Sequence, residues 1–271
     1  MTGIGSRQTV EDAMARFPAA ALAALLGREA PPEDALPLPW HWLYALTFPA
    51  PDATGADGHP ARGGFLPPVA LPRRMWAASE MRLARPLALD QPATRTSTVA
   101  GVEEKTGRTG ALVFVTVEHA WTQRGATCLT ERQTIVYREP AAPAPTETVV
   151  PVAPDPATLR RTVVPDAVML FRYSALTYNA HRIHYDAPYA REVEGYPALV
   201  VHGPLIATWL VEAALPLVGA RAIRGFSFRA ERPAFVDAPL HLHARPEDGG
   251  LALWSTGAGG RTGMRARLDC A

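Results

Sequence analysis

The segment Thr177–Asp186, TYNAHRIHYD, carries two of the chain's eight histidines, His181 and His184, three residues apart, with Asn179 just before them. A third, His202, follows 18 residues after His184 in the run Val200-Val201-His202-Gly203-Pro204. Imidazole gives and takes protons near neutral pH, so such a pair suits acid–base chemistry. It equally suits metal ligation or a plain polar loop. For a metal, the spacing of three is acceptable, but no cysteine or acidic cluster near the pair in sequence completes a ligand set. No metal is expected. His241 and His243 alternate along an expected strand, which is an ordinary surface pattern.

Those residues need elements to position them. Gly203–Val218 reads as a helix that is apolar nearly all round and therefore buried. Pro204 fits its first turn, where a missing N–H costs nothing, and Gly203 lets a ligand approach the backbone. The helix start then offers free N–H groups and a positive dipole end to a carbonyl oxygen. Strands are expected at Met81–Leu89, Arg95–Glu104, Ala111–Thr122 and Cys128–Tyr137. Others are expected at Val168–Ala175, Arg224–Arg232, Leu240–Arg245, Leu251–Thr256 and Thr262–Asp269. An amphipathic helix is expected over Val10–Leu26, and Pro31–Pro39 and Pro49–Pro72 read as loops.

The two halves echo each other. Ala45-Leu46-Thr47-Phe48 resembles Ala175-Leu176-Thr177-Tyr178. Arg82-x-x-Arg85-Pro86-x-x-x-Asp90-x-Pro92 matches Arg229-x-x-Arg232-Pro233-x-x-x-Asp237-x-Pro239 at five positions. The offset grows from 130 to 147 residues between the echoes, which assigns 17 extra residues to the second copy, where Gly203–Val218 lies. The reading is a tandem α+β repeat whose first copy is degenerate and lacks its central helix. Residues 1–139 form the first unit, 140–165 a linker with seven prolines, and 166–271 the second unit.

A helix gripped by an antiparallel sheet, duplicated in one chain, resembles the double hot dog layout of the MaoC-like hydratases and dehydratases. TYNAHRIHYD falls on that family's S-G-D-x-N-P-L-H-x-D signature, and His202-Gly203-Pro204-Leu205 on its helix-start motif. In the first half, RGGFLPPVALPRRMW and the strand ending IVYRE resemble the family's N-terminal dehydratase-like domain. The wording N-A-H-R-I-H is similar to the branch with mitochondrial 3-hydroxyacyl-thioester dehydratases and mesaconyl-C4-CoA or itaconyl-CoA hydratases. The chain departs from the signature at Asn179, where the family has its catalytic aspartate, and asparagine takes no proton.

The resemblance implies addition or removal of water across the 2,3-bond of an acyl-CoA thioester. His184 would be general base and acid, Asn179 would hold the water, and the Gly203 N–H would stabilise the thioester oxyanion. His181 would be a second proton-transfer group or would fix Asn179. Arg73, Arg74 and Arg182 are candidates for the coenzyme A phosphates or an acyl carboxylate, and His202 for supporting the substrate. No cofactor is expected beyond the coenzyme A of the substrate. The alternatives are a fatty-acid 3-hydroxyacyl-thioester dehydratase, an acyl-CoA thioesterase, and a non-catalytic acyl-CoA-binding hot dog.

Composition narrows the partners. A net charge of +1 over 271 residues and the absence of a basic helix speak against nucleic acid. No run is long and apolar enough to span a membrane, and the N-terminus lacks a signal layout, so a cytoplasmic protein is expected. Two lone cysteines, Cys128 and Cys270, agree with a reducing compartment. A small-molecule thioester is the expected partner, and the chain is expected as a monomer or homodimer.

Overall fold

The computed structural model describes residues 3–107, 110–139 and 157–271. The N-terminal unit runs β1 (Arg7–Asp12), α1 (Arg16–Leu26), β2 (Ala35–Leu36), β3 (Arg73–Leu83), β4 (Leu87–Ala88), β5 (Ala93–Gly107), β6 (Gly110–Gln123) and β7 (Ala126–Arg138). The C-terminal unit runs β8 (Leu159–Val163), α2 (Ala167–Thr177), α3 (Gly203–Val218), β9 (Ile223–Ala230), β10 (Leu240–Glu247), β11 (Gly250–Thr256) and β12 (Thr262–Cys270). Ten strands form one antiparallel sheet in the order β1-β5-β6-β7-β3-β9-β12-β11-β10-β8, and β2 and β4 pair separately. The order is a mirror: each half is one hot dog sheet, and β3 and β9 join them.

The register locates the pseudo-two-fold axis. Glu80 on β3 pairs with Ser227 on β9, and these residues are 147 apart, the spacing that separates Arg82 from Arg229. The Arg82–Pro92 echo is therefore a structural equivalence. Asp90 and Asp237, its matched aspartates, both take a left-handed backbone, with φ of 55° and 60°, a conformation that Asp tolerates better than most residues.

Seven expected strands form, with ends shifted by a few residues, and Gly203–Val218 is a helix with the expected bounds. The strand expected at Met81–Leu89 lies earlier, as β3 over Arg73–Leu83, with only the two-residue β4 in the rest of that range. Three further expectations need correction. Val168–Ala175 is helix, not strand: the Asp166 side chain caps it by accepting from the Met169 N–H at 2.7 Å, and Leu170, Tyr173 and Ser174 are buried at helical spacing. Val10–Leu26 begins as strand β1, paired with β5, and becomes helix only at Arg16. Third, Ala175–Thr177 is the last turn of α2 whereas Ala45–Phe48 lies outside any helix or strand, so that echo is not an equivalence. The true counterparts are β1–α1 and β8–α2. By that alignment 46 residues separate α1 from β3 and 45 separate α2 from β9. The first unit has not been shortened. Its connection is merely proline-rich, forming 3-10 turns at Trp40–Leu43 and Pro51–Ala53 where the second unit forms α3.

β8 pairs with β10 inside the stretch read as linker, so the second unit takes in residues from 159 onward. The denser part of that stretch, 140–156, lies outside the described residues.

α3 lies in the concave side of its half-sheet, against β10, β11 and β12. Ten of its sixteen residues are buried, from Leu205 to Val218. Its one acid, Glu212, accepts from the Trp40 Nε1–H at 3.2 Å and faces Arg28 at 3.5 Å, which ties the helix to the N-terminal unit. In that unit the space facing the sheet is filled by Trp40, His41 and Leu43 of the first 3-10 turn, packed with Met81 and Trp121. The Glu131 carboxylate is the polar centre there. It accepts from Trp42 Nε1 at 3.0 Å and Ser79 Oγ at 2.5 Å, and pairs with His41 Nε2 at 3.0 Å.

Candidate active site

The segment after α2 turns sharply. Tyr178 takes a left-handed conformation, with φ of 50°, and Asn179 Oδ1 accepts the His181 N–H at 3.0 Å, closing an Asx turn. A 3-10 turn over Arg182–His184 follows, placing His181 and His184 toward the start of α3. His184 is buried, and its Nδ1–H donates to the Val200 carbonyl at 2.7 Å. Val200 is itself fixed, because its N–H donates to Ile183 O at 3.0 Å and it bridges to Phe235. The Nδ1 tautomer leaves the Nε2 lone pair of His184 free to accept a proton. Burial pushes this imidazole down to about 4, against the Val200 carbonyl that favours its charged form. It is neutral at pH 7.

His202 stacks on His184, with ring centres 3.7 Å apart, and its Nε2 meets Ser174 Oγ at 2.9 Å. Burial and the neighbouring imidazoles hold it well below the usual histidine range. It braces the back of the His184 ring and does not line the cavity. Gly203 opens α3 beside it, and a Cβ there would meet nothing within 4 Å. A substrate oxygen can therefore approach that backbone.

A cavity of about 490 Å³ joins these groups. Asn179, His181, His184, Gly203, Arg73 and Arg74 all line it. The arginines differ in their freedom. Arg73 is neutralised by Glu194, with Nε 3.0 Å from Oε2, and also donates to the Glu194 carbonyl. Arg182 is off the cavity: it pairs with Asp186 at 2.8 Å, donates to Ala56 O and lies over the Tyr189 ring. Arg74 is half-buried and its guanidinium has no hydrogen-bond or ion-pair partner among the described residues, while its charge reaches His59 and His181.

Sequence reasoning missed two wall residues, Asp57 and His59, which come from the proline-rich connection of the N-terminal unit. Asp57 Oδ2 and His59 Nδ1 lie 3.1 Å apart, and the His59 ring sits 4.0 Å from the His181 ring. Ligand atoms of Asp57, His59 and His181 lie within 4.8 Å of one another, so an acid does stand beside the histidine pair, brought from a distant part of the chain. Two of those atoms are already engaged with each other. The only sequence signal was the polar run Asp57-Gly58-His59 in a proline-rich loop. Gly58 has φ of 87°, and a Cβ there would strike Ala180 O at 1.8 Å. A glycine is required for the loop to sit on TYNAHRIHYD.

The sequence model of the family described as hydroxyacyl-thioester dehydratase type 2 matches residues 39–236. The chain belongs to this family. It is 47% identical over 273 aligned positions to a mesaconyl-C4-CoA hydratase of Chloroflexus aurantiacus, covering 99% of this chain and 97% of that one. A mitochondrial hydroxyacyl-thioester dehydratase type 2 of Schizosaccharomyces pombe is 29% identical over 75% of each chain. Among solved structures, HtdX of Mycobacterium tuberculosis superposes with a TM-score of 0.70 at 20% identity, covering 98% of this chain and 100% of that one. A MaoC-like dehydratase superposes with a TM-score of 0.71 at 13% identity, over 99% and 98%. The fold is the MaoC-like double hot dog, and this member of the type 2 family is a hydro-lyase.

Proposed function

We propose that this type 2 family member hydrates mesaconyl-C4-CoA or a closely similar thioester of a branched five-carbon dicarboxylic acid. The observation that carries this reading is an uncompensated cation, Arg74, on the wall that also holds His184 and the start of α3. In mesaconyl-C4-CoA the free carboxylate is borne by the β-carbon to which water adds. A cation must then stand close to the proton-transfer groups, as Arg74 does. The 47% identity to a mesaconyl-C4-CoA hydratase supports the same substrate.

In this reading the thioester carbonyl accepts from the Gly203 N–H at the positive end of α3, which stabilises the enolate charge. His184 Nε2 takes the water proton as the C–O bond forms and returns it to the α-carbon. Asn179 Oδ1 accepts the turn bond, and the two Nδ2 donors of its amide remain available to a ligand in the cavity it lines. The thioester itself acidifies the α-carbon, so no cofactor is required. All the groups of the site come from one chain, and β3–β9 pairing joins its two hot dog units. A monomer therefore suffices, and no described helix is long and apolar enough to cross a membrane; a cytoplasmic location fits this chemistry.

A second cavity, of about 640 Å³, favours a second reading. It shares His59 and Asn179 with the first and is walled by Phe171, Tyr178 and Pro49. A longer acyl chain could lie there, as a 3-hydroxyacyl-thioester dehydratase requires. Purified protein incubated with mesaconyl-C4-CoA, itaconyl-CoA, crotonyl-CoA and a long 3-hydroxyacyl-CoA separates the two. Loss of enoyl absorbance fastest with mesaconyl-C4-CoA is expected. Preference for the long substrate would replace the first reading with the second, and inertness toward all four would end both.

A further inference from the structure

The family signature has an aspartate where this chain has Asn179, yet a carboxylate stands at the site. It arrives from the other unit. Residues 54–60 form a closed loop: Thr54 bridges Pro60, the Gly55 N–H donates to His59 O at 2.7 Å, and the Gly58 N–H donates to Gly55 O at 2.9 Å. The loop is locked onto TYNAHRIHYD by backbone, since the Arg182 N–H donates to Asp57 O at 2.9 Å. Asp57 Oδ1 completes the turn by accepting the His59 N–H at 3.0 Å. Oδ2 is left for the imidazole, and both side chains line the cavity with His184 and Gly203.

A carboxylate on Nδ1 fixes the imidazole tautomer and leaves the Nε2 lone pair facing outward. We propose that His59, oriented by Asp57, is the second group that holds the reacting water, taking the part played by the signature aspartate. The proposal rests on the hydration reading above. The water offers one O–H to His59 Nε2 and the other to His184 Nε2. As its oxygen bonds to the β-carbon, the O–H facing His184 breaks, and the proton passes to His184 Nε2. The π electrons move toward the thioester oxygen, and the α-carbon then takes that proton from His184. Both imidazoles end neutral, and dehydration runs the same steps in reverse. His59 touches the reacting water and is a catalytic residue; Asp57 acts through it and is a positioning residue. Burial lowers the His59 pKa, and the Asp57 hydrogen bond opposes the fall, so the ring stays an acceptor at pH 7.

The test compares wild type, His59→Ala, Asp57→Asn and the double variant in the intact chain. Asparagine keeps the oxygen that closes the turn, so Asp57→Asn preserves the loop if His59→Ala disturbs it. Each single variant should lower kcat roughly 100-fold with KM within threefold and melting unchanged. The double variant should be no worse than His59→Ala, because the pair acts as a unit. Nitrogen-15 NMR of labelled histidine should find His59 as the neutral Nδ1–H form, and Asp57→Asn should shift that signal. A kcat within threefold of wild type in His59→Ala overturns the proposal. So does an Nε2–H or charged His59 at pH 7, or loss of activity to a chelator with recovery on adding zinc. If wild type hydrates no thioester, the functional reading fails, while the NMR result still decides the tautomer on which this inference stands.

Discussion

The two units spend the same length of chain in opposite ways. Between its first helix and its central strand, the C-terminal unit builds α3, an apolar rod that brings Gly203 to the cavity. The N-terminal unit spends its equivalent 46 residues on proline-rich turns. One of these plugs its own core with Trp40 and His41, and another reaches across to the partner unit with Asp57 and His59. Each unit also buries imidazoles, for different ends. His41 pairs with Glu131 away from the cavity, whereas His181 and His184 line it. In the reading proposed above, one copy offers the backbone oxyanion site and the other supplies side chains and room for the acyl group.

The largest separation of the two copies should come from His184→Ala. Removing the proton acceptor held by Val200 should lower kcat of the folded enzyme roughly 1,000-fold or more, a loss far beyond what the lowered melting temperature from the emptied buried site could explain. Enoyl absorbance and calorimetry on the same sample measure both. Activity within tenfold of wild type would transfer the base to another imidazole of the cluster.

Glu131→Gln should do the reverse. Burial alone would raise this carboxyl, but the His41 hydrogen bond and charge, with His119 and Ser79, hold it down to about 2. Breaking a buried pair costs on the order of 3 kcal/mol of stability, and kcat of the folded fraction should stay within twofold. The two copies also differ in acid. A depressed carboxyl stabilises the fold above its unfolded pKa of 4.5, and that contribution is lost as pH falls from 4.5 toward 2. Burial lowers His184 to about 4 and His181 to about 2 from 6.5. The unfolded chain therefore takes up those protons first, and stability drops as pH falls below 6.5. Denaturant titrations should find a first loss between pH 6.5 and 4, absent from His184→Gln in proportion. A second should appear below 4.5, absent from Glu131→Gln.

Arg74→Ala probes what the helix-free copy contributes to specificity. A lost charge-assisted contact is worth roughly 10- to 100-fold in KM. The loss should appear with mesaconyl-C4-CoA and not with crotonyl-CoA, which lacks the carboxylate. Equal losses with both would move Arg74 from the acyl group to coenzyme A.

The sheet was readable because β5, β6, β7 and β9–β12 alternate or carry β-branched runs bounded by turn residues. Helix α3 was readable because apolar residues all round leave no solvent face. Helix α2 was misread because Ala167–Thr177 is short and mixed, and only the Asp166 cap argues for its type. His184, Asn179 and Gly203, which line the cavity, are legible through the resemblance of their segments to the MaoC-like motifs. Asp57 and His59 are not: His59 lies 122 residues before His181, in a loop without periodicity, and no local pattern encodes that contact. The length of the first unit is not legible either, because the chance likeness of Ala45–Phe48 to Ala175–Tyr178 implies a 17-residue difference that the equivalence of β1 with β8 removes.

The smallest expected effect belongs to Arg182. As a residue of the motif it looked like an anion binder, but its guanidinium is already spent on Asp186, on the Ala56 carbonyl and on the Tyr189 ring. The Ala56 contact clips the N-terminal loop to the C-terminal motif, while the Arg182 N–H to Asp57 O bond does the same through backbone and survives any side-chain change. Arg182→Gln should therefore leave KM for the coenzyme A ester within twofold and lower kcat no more than threefold. The melting temperature should fall by a few degrees at most, because partly exposed ion pairs contribute little. A KM increase of tenfold or more, reversed by Arg182→Lys, would place the arginine on the substrate after all. It would also mean that the loop and the motif part on binding, so that the two copies meet more loosely than their backbone bonds indicate.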